Sequence, residues 1–584
     1  MTGSPLTAAA LLAAAVATVA IGAYGVRFSR TTSDFLVASR TVGSQWNAAA
    51  ISGEYLSAAS FLGVAGLIAK YGADALWYPV GFTAGYLGLL LFVAAPLRRS
   101  GAYTVPDFAE FRLGSARLRK IAMLVVVVIC IFYLVPQYQG AGLALKTLLG
   151  TPVWLGPVAV GAIVITNVVA GGMRSITFVQ AFQYWLKLTA VAIPALALTA
   201  LLVSDHGAGD GFALGGPLPP TVQQATTVAI ETDVVVQVTT PAGVTVSGTL
   251  DGRPVEQAKF DAPGQHTLGA GSTLHLAGGA ATPVVAGAPS TGGEWIASGG
   301  GFGGHHPLYQ VVSIMVATFL GAMGLPHVLV RFYTNPDGRA ARRTALAVIA
   351  LLSLFYLFPM LLGVFSRLYV PQLLITGNAD AAVLLAPASA VGGVAGQLLA
   401  ALVAAGAIAA FLATSSGLLV SFAGALATDV LPGRVRDFRW AAVVGGLIPI
   451  PLALTTSGDL ELSRSVGLAF AVAASTLCPL LVLGIWWRGL TALGAACGLA
   501  VGGLLSGVAV TVEVAGGVDA EALGGWPGVL IGYPAAVSVP LAFATMIVVS
   551  RVTRARIPAD VAQIFARMHV PEHLGMGIER LPSR

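Results

Sequence analysis

The chain has 584 residues, 56% of them hydrophobic and only 10% charged, with 31 Lys and Arg against 25 Asp and Glu for a net charge of +6. An ordinary soluble domain carries about 25% charge, so this composition excludes a soluble globular protein. The basic residues fall in short clusters between apolar runs rather than in one patch interleaved with aromatics, which excludes a nucleic-acid surface and points to membrane topology.

Runs of about 20 apolar residues match a hydrocarbon core roughly 30 Å thick. Taken along the chain, they predict 13 spans: 6–27, 46–69, 75–97, 121–148, 153–171, 178–203, 309–330, 344–368, 396–428, 440–456, 464–487, 490–512 and 528–550. These are spans 1 to 13. The first lacks a charged leader and is read as a retained helix, and the long run at 396–428 suggests a tilted one. With the N-terminus outside, 24 of the 31 basic residues face inward, among them Arg98, Arg112, Arg331, Arg339 and Arg434. That asymmetry predicts an external N-terminus and a cytoplasmic tail over 551–584. The high Ala, Gly and Val content suggests a bacterial plasma membrane.

Between spans 6 and 7, residues 204–308 break the pattern. They are rich in Gly, Pro, Ser and Thr. Asp233 to Gly248 reads as two β-runs around Pro241-Ala242-Gly243, and Thr273–Leu276 as another. A small external β-rich insert of about 60 residues between flexible linkers is expected, with a decorative or lid role as the plain reading. The chain so divides into 1–203, 204–308, 309–550 and 551–584.

Polar groups inside spans are the candidates for function, because a charge at that depth costs a few kcal/mol. Span 2 carries Ser52-Gly53-Glu54-Tyr55, where Gly relaxes the helix and opened carbonyls could hold a cation. Glu54 is either part of that chemistry or a hydrogen-bonded tie between helices. Span 9 carries Ala413-Thr414-Ser415-Ser416, and three consecutive hydroxyls exceed what one packing face uses. Gly324-Leu325-Pro326-His327 interrupts span 7, and His327 is a proton carrier or a structural histidine. Lys187 in span 6 could attract an anion, snorkel or pair with Glu54. Gln137, Gln139 and Gly140 follow Pro136 in span 4. No phosphate-binding loop, metal-ligand spacing or nucleophile–base pair is visible, which disfavours an ATP-driven pump and an enzyme. Cys130, Cys478 and Cys497 form no disulfide framework.

The strings Asp34–Arg40, Ser52–Gly63, Tyr103–Phe108, Gly171–Gln180 and Gly324–Phe332 make the chain resemble the sodium:solute symporter family, in its cation/acetate (monocarboxylate) branch. The likeness covers about 30–203 and 309–550. It implies an all-α polytopic membrane protein with the inverted five-plus-five repeat of the leucine-transporter class, spans 2–6 and 7–11 being the repeats. It further implies a sodium site joining span 2 to span 9, built from the carbonyls of Ala48, Ile51 and Ala410 with Ala413 and the Thr414 hydroxyl. This chain lacks the hydroxyl often found at the Ala413 position, which Ser415 could replace. It also has Thr177 where several relatives carry an acidic residue linked to sodium passage. Na+ or H+ therefore both stand as coupling ion, with no other cofactor implied. The implied substrate is acetate or a short relative such as propionate or pyruvate, lined by Gly53, Glu54, Tyr55, Gln137 and Gly140. A transporter-like nutrient receptor, a symporter of another solute and a passive channel are the alternatives.

Overall fold

The computed structural model describes residues 4–27, 38, 41–204, 215–302, 305–375, 379–431, 433–456, 461–515 and 523–571. Apart from Ala38, the Asp34–Arg40 string lies outside them, as does 572–584 of the expected tail.

Eleven helical stretches of the described residues are long and apolar enough to cross a membrane. Two of them hold two crossings each, giving the thirteen expected helices. Ala59–Ser100 folds back through a short turn at Gly72–Leu76. Leu155–Ser204 breaks at Gly172, whose φ of 57° and ψ of −158° suit a residue without a Cβ. Span 1 is Pro5–Val26, and span 4 runs unbroken over Ala116–Leu149 despite Pro136. Span 8 is Gly338–Tyr369, its first turn capped by Asp337. Span 9 is a single helix of 37 residues, Gly393–Asp429. Its residues are buried on every side from Val403 to Ala425. A helix apolar all round belongs in the centre of a bundle, and span 9 packs on spans 1, 4 and 6 as well as span 2.

The first helix of each predicted repeat is interrupted. Span 2 runs as Ser44–Tyr55, stops, and resumes through a wide turn at Ala59–Gly63 into Val64–Tyr71. Span 7 runs as Pro307–Ala322 and resumes as Pro326–Phe332, with Pro326 in the first turn where its missing N–H costs nothing. In a bilayer such exposed backbone survives only when protein covers it, so both breaks mark the middle of the bundle.

The insert is an antiparallel sheet of seven strands: β1 Thr226–Ala229, β2 Val234–Val238, β3 Val244–Leu250, β4 Arg253–Lys259, β5 Gly264–Leu268, β6 Thr273–Leu276 and β7 Val284–Val285. The order is β1-β6-β3-β5-β2-β7, with β4 on β3. The two runs flanking Pro241-Ala242-Gly243 therefore do not pair with each other, since β5 lies between them. Alternate Val236, Val238, Val244 and Val246 face a core that also takes in Ile375 from the segment after span 8. That contact docks the sheet on one end of the bundle. A strap follows β7: the Trp295 indole donates to Ile68 O at 2.7 Å, and the Gly299 and Gly301 amides donate to Asp74 at 2.8 and 2.7 Å. The Arg367 guanidinium lies 5.3 Å from the Trp295 ring and donates to Ala69 O and Pro289 O. The strap thus holds the sheet-side ends of spans 2, 3 and 8 together.

Candidate functional site

An interrupted helix leaves carbonyls and amides that its own ladder no longer satisfies. In span 2 the break comes at Leu56, where φ −73° and ψ 87° leave the helical region. Three other spans supply partners. The Lys187 ammonium of span 6 donates to Gly53 O and, at 2.6 Å, to Leu56 O. The Thr414 hydroxyl of span 9 donates to Glu54 O at 2.6 Å. The Ala58 amide donates to Gln137 Oε1 of span 4 at 3.0 Å. Spans 2 and 6 come this close because position 53 is glycine: a Cβ there would overlap the Gln180 carbonyl.

The Glu54 side chain leaves the break toward the end of the bundle away from the sheet. Its Oε2 accepts from Arg331 Nε at 2.6 Å, with both side chains at 1% exposure or less. The charge pattern of the sequence places Arg331 with the inner loop charges; it is instead buried. It also donates to Thr177 Oγ1 at 2.8 Å and to Gln180 Oε1. Gln180 in turn donates to Ala413 O at 2.8 Å, and Asn47 donates to Arg331 O at 3.0 Å. One guanidinium so joins spans 2, 6 and 7, and Gln180 extends the junction to span 9. The Glu54 carboxylate rests against Gly417, where a Cβ would overlap it. Of the pairings open in the sequence, Glu54 takes Arg331, and Lys187 takes the opened carbonyls.

The residues carried over for sodium lie on the two helices joined here. Ala48, Ile51, Ala410, Ala413, Thr414 and Ser415 are all buried. The Thr414 hydroxyl and the Ala413 carbonyl already make the hydrogen bonds above, while Ser415 Oγ has no hydrogen-bond partner. Among the carried-over substrate residues, Gly53, Glu54 and Gln137 converge on the break. Gln137 Nε2 is buried without a partner. Gly140, one turn along span 4, faces Ala58, Phe411 and Leu462, each 3.0–3.2 Å from where a Cβ would sit. Tyr55 points elsewhere: its hydroxyl donates to Phe82 O at 2.9 Å, and its ring packs edge-on against Tyr86 at 4.8 Å. His327 is buried edge-on to Tyr133 at 5.3 Å, with neither ring nitrogen hydrogen-bonded. Gln139 is bonded away from the break, to Thr456.

Arg331, Gln180 and Asn47 are the members that sequence reasoning passed over. The available signal was the charge closing the Gly324–Phe332 string only a few residues past an interrupted helix. Charge pairing also closes both ends of the bundle. On the sheet side Lys70 meets Glu461 at 2.8 Å. On the far side Arg119 meets Glu110 and Asp429 at 2.7 and 2.6 Å.

The model of the family described as "Sodium:solute symporter family" matches residues 35–209 and 288–502. Similar proteins include the uncharacterized symporter YwcA of Bacillus subtilis, 31% identical over 543 residues and covering 90% of each chain. Another is the monocarboxylic acid transporter of Corynebacterium glutamicum, 29% identical over 588 residues, or 95% of this chain and 93% of that one. Among solved structures, a Na+-coupled sialic acid symporter in a substrate-bound outward-open state matches with a TM-score of 0.62 at 14% identity. The match covers 94% of this chain and 98% of that one. This last likeness carries the fold, the leucine-transporter-like inverted repeat with spans 2 and 7 broken.

Proposed function

The chain belongs to the sodium:solute symporter family, and from that premise we propose that it takes up acetate or a related short monocarboxylate, such as propionate or pyruvate, by cation-coupled alternating access. The observation that carries the reading is the charge at the break of span 2. Two buried basic side chains, Arg331 and Lys187, accompany one carboxylate, Glu54, which bonds Arg331. A buried excess of positive charge favours an anionic solute over a neutral or cationic one. The monocarboxylic acid transporter among the relatives supports the same substrate class.

In this reading Gly53, Gln137 and Gly140 line the solute, with Tyr55 behind them and Glu54 turned to Arg331, so that its charge is answered before a carboxylate arrives. Sodium sits between spans 2 and 9 on Ala48, Ile51, Ala410, Ala413 and Thr414, with Ser415 in place of the missing hydroxyl. A proton is the other coupling ion the residues allow. The chain sits in a bacterial plasma membrane with its N-terminus and the 204–308 insert outside and the 551–584 tail in the cytoplasm. A gradient of about 100 mV supplies roughly 2.3 kcal/mol per charge moved, enough to drive uphill uptake when more than one cation accompanies the anion.

The test is labelled-acetate uptake into liposomes holding the purified protein, with sodium and pH gradients imposed separately. Sodium-driven accumulation that disappears in Thr414→Ala is the expected result. Accumulation driven by the pH gradient alone replaces sodium with a proton. Absence of accumulation under either gradient sinks the monocarboxylate reading.

A further inference from the structure

We propose that Lys187 is the residue that makes the site select a monoanion: its ammonium, held at the break of span 2, is the charge partner of the transported carboxylate, with the Gln137 amide as the second donor. This rests on the monocarboxylate reading and deepens it.

Lys187 lies near the middle of the second half of Leu155–Ser204 and is fully buried. An ammonium has three donors and no acceptor. Two go to Gly53 O and Leu56 O, which leaves one. Both bonded partners are neutral carbonyls. Among the described residues the carboxylate that acts on the ammonium is Glu54, and that group is bonded not to Lys187 but to Arg331, at 2.6 Å on the side away from the sheet. With Arg331, Lys187 and Glu54 all ionised the three sum to +1, and Lys187 is the member whose bonds go only to carbonyls.

Satisfying two carbonyls does not require a charge. A neutral amide or hydroxyl would do so at far lower desolvation cost, so a carbonyl cap alone leaves the choice of lysine unexplained. An anion arriving at the break explains it, because the pair then becomes neutral. Across the same break, Gln137 approaches from span 4. Its oxygen is fixed by the Ala58 amide, which orients the side chain and leaves Nε2 buried with no partner. Lys187 from span 6 and Gln137 from span 4 therefore bring two spare donors to one stretch of span 2, Leu56 to Ala58. A carboxylate has two oxygens to accept them. The wall beside them is small and tight: Gly140 is already hemmed in by Ala58, Phe411 and Leu462.

The experiment is counterflow of labelled acetate in liposomes holding the full-length protein, for wild type, Lys187→Gln and Lys187→Arg. Propionate and acetamide, the neutral isostere of acetate, serve as competitors. Thermal unfolding of each purified variant establishes that it is folded. The expected result is an apparent KM for acetate raised at least about 30-fold in Lys187→Gln, with much of the loss recovered in Lys187→Arg. Propionate should compete in the wild type and acetamide should not. An unchanged KM with a lowered maximal rate would make Lys187 a carbonyl cap and overturn the proposal. So would intact counterflow with lost gradient-driven accumulation, which would assign Lys187 to ion coupling. Failure of the wild type to exchange acetate would sink the monocarboxylate reading instead. The charge claim is then decided by thermal stabilisation of wild type against Lys187→Gln with a panel of small anions and neutral solutes. No anion preference that depends on Lys187 would overturn it.

Discussion

Two ion pairs in this protein have the same length and opposite surroundings, and they set up a direct test of what holds the central junction. Glu54–Arg331 and Lys146–Glu231 both close at 2.6 Å. The first is at 1% exposure or less on both side chains, while the second is 42% and 72% exposed. At an effective dielectric of 20 a pair of charges about 4 Å apart attracts by about 4 kcal/mol. Removing one member of a buried pair costs about 3–5 kcal/mol, because the other charge stays behind in the protein. An exposed pair gives at most about 1 kcal/mol. Glu54→Gln strips Arg331 to the neutral oxygens of Thr177 and Gln180, and Arg331→Met strands the Glu54 carboxylate. Each single change should cost about 3 kcal/mol or more, and the double variant should cost well under their sum. A coupling of about 2 kcal/mol or more is expected. The matching cycle at Lys146 and Glu231 should stay below about 1 kcal/mol. The assay is reversible unfolding of the purified protein in mixed detergent micelles, scored as a double-mutant cycle. Additivity at Glu54 and Arg331 within about 0.5 kcal/mol would refute the reasoning, since it would mean that burial has not coupled the two charges.

Gly417→Ala should cost at least as much as either of those changes, because its Cβ would overlap the Glu54 carboxylate. Gly507→Ala, which meets nothing within 4 Å, should be neutral or slightly stabilising; equal effects in unfolding experiments would contradict the packing. Trp295→Ala should free the strap over Pro289–Phe302, with about 3–5 kcal/mol of local packing lost. Trp295→Phe should forfeit little beyond the 2.7 Å bond to Ile68 O, and hydrogen exchange of the strap that fails to separate the two would exclude the indole as its anchor. In the sheet, Asp251 accepts from His266 and from the Thr267 amide, bonds that hold its carboxyl below the ordinary 3.8. Partial burial pulls His266 down, but its bonds to Asp251 and Ala262 O and the nearby carboxylates outweigh this and raise it above 6.5. The contribution is complete between pH 3.8 and 6.5. It fades as pH rises through the raised histidine value, and again as pH falls through the depressed aspartate value. Protection of the Thr267 amide, corrected for intrinsic exchange, should follow that window; because the pair is largely exposed the effect should stay below about 1 kcal/mol, and protection that increases above pH 7 would contradict it.

What the sequence reveals about this molecule follows from the range of the forces involved. The thirteen crossings were legible because each is a local run of apolar residues, and the break in span 2 because Ser52-Gly53 lies within one such run. The β character of the insert was legible for the same reason at Val234–Val238 and Thr273–Leu276. Pairing was not: β2 and β3 flank a turn and yet are separated by β5, whose Gly-Gln-His-Thr-Leu has too few apolar positions to advertise itself. The site shows the same divide more sharply. Glu54 stands out as a charge in an apolar run, but its partner Arg331 is 277 positions away and sits where an apolar run is ending, so a charge count assigns it to a loop. Lys187 was visible and its partner was not, because backbone carbonyls opened by a break leave no letter in the sequence. Arg331 takes the pairing with Glu54 that the sequence left open to Lys187. The arginine, able to bond in several directions at once, ties together three helices around the carboxylate. The lysine, a compact point charge, stays at the break with both of its bonds on backbone carbonyls.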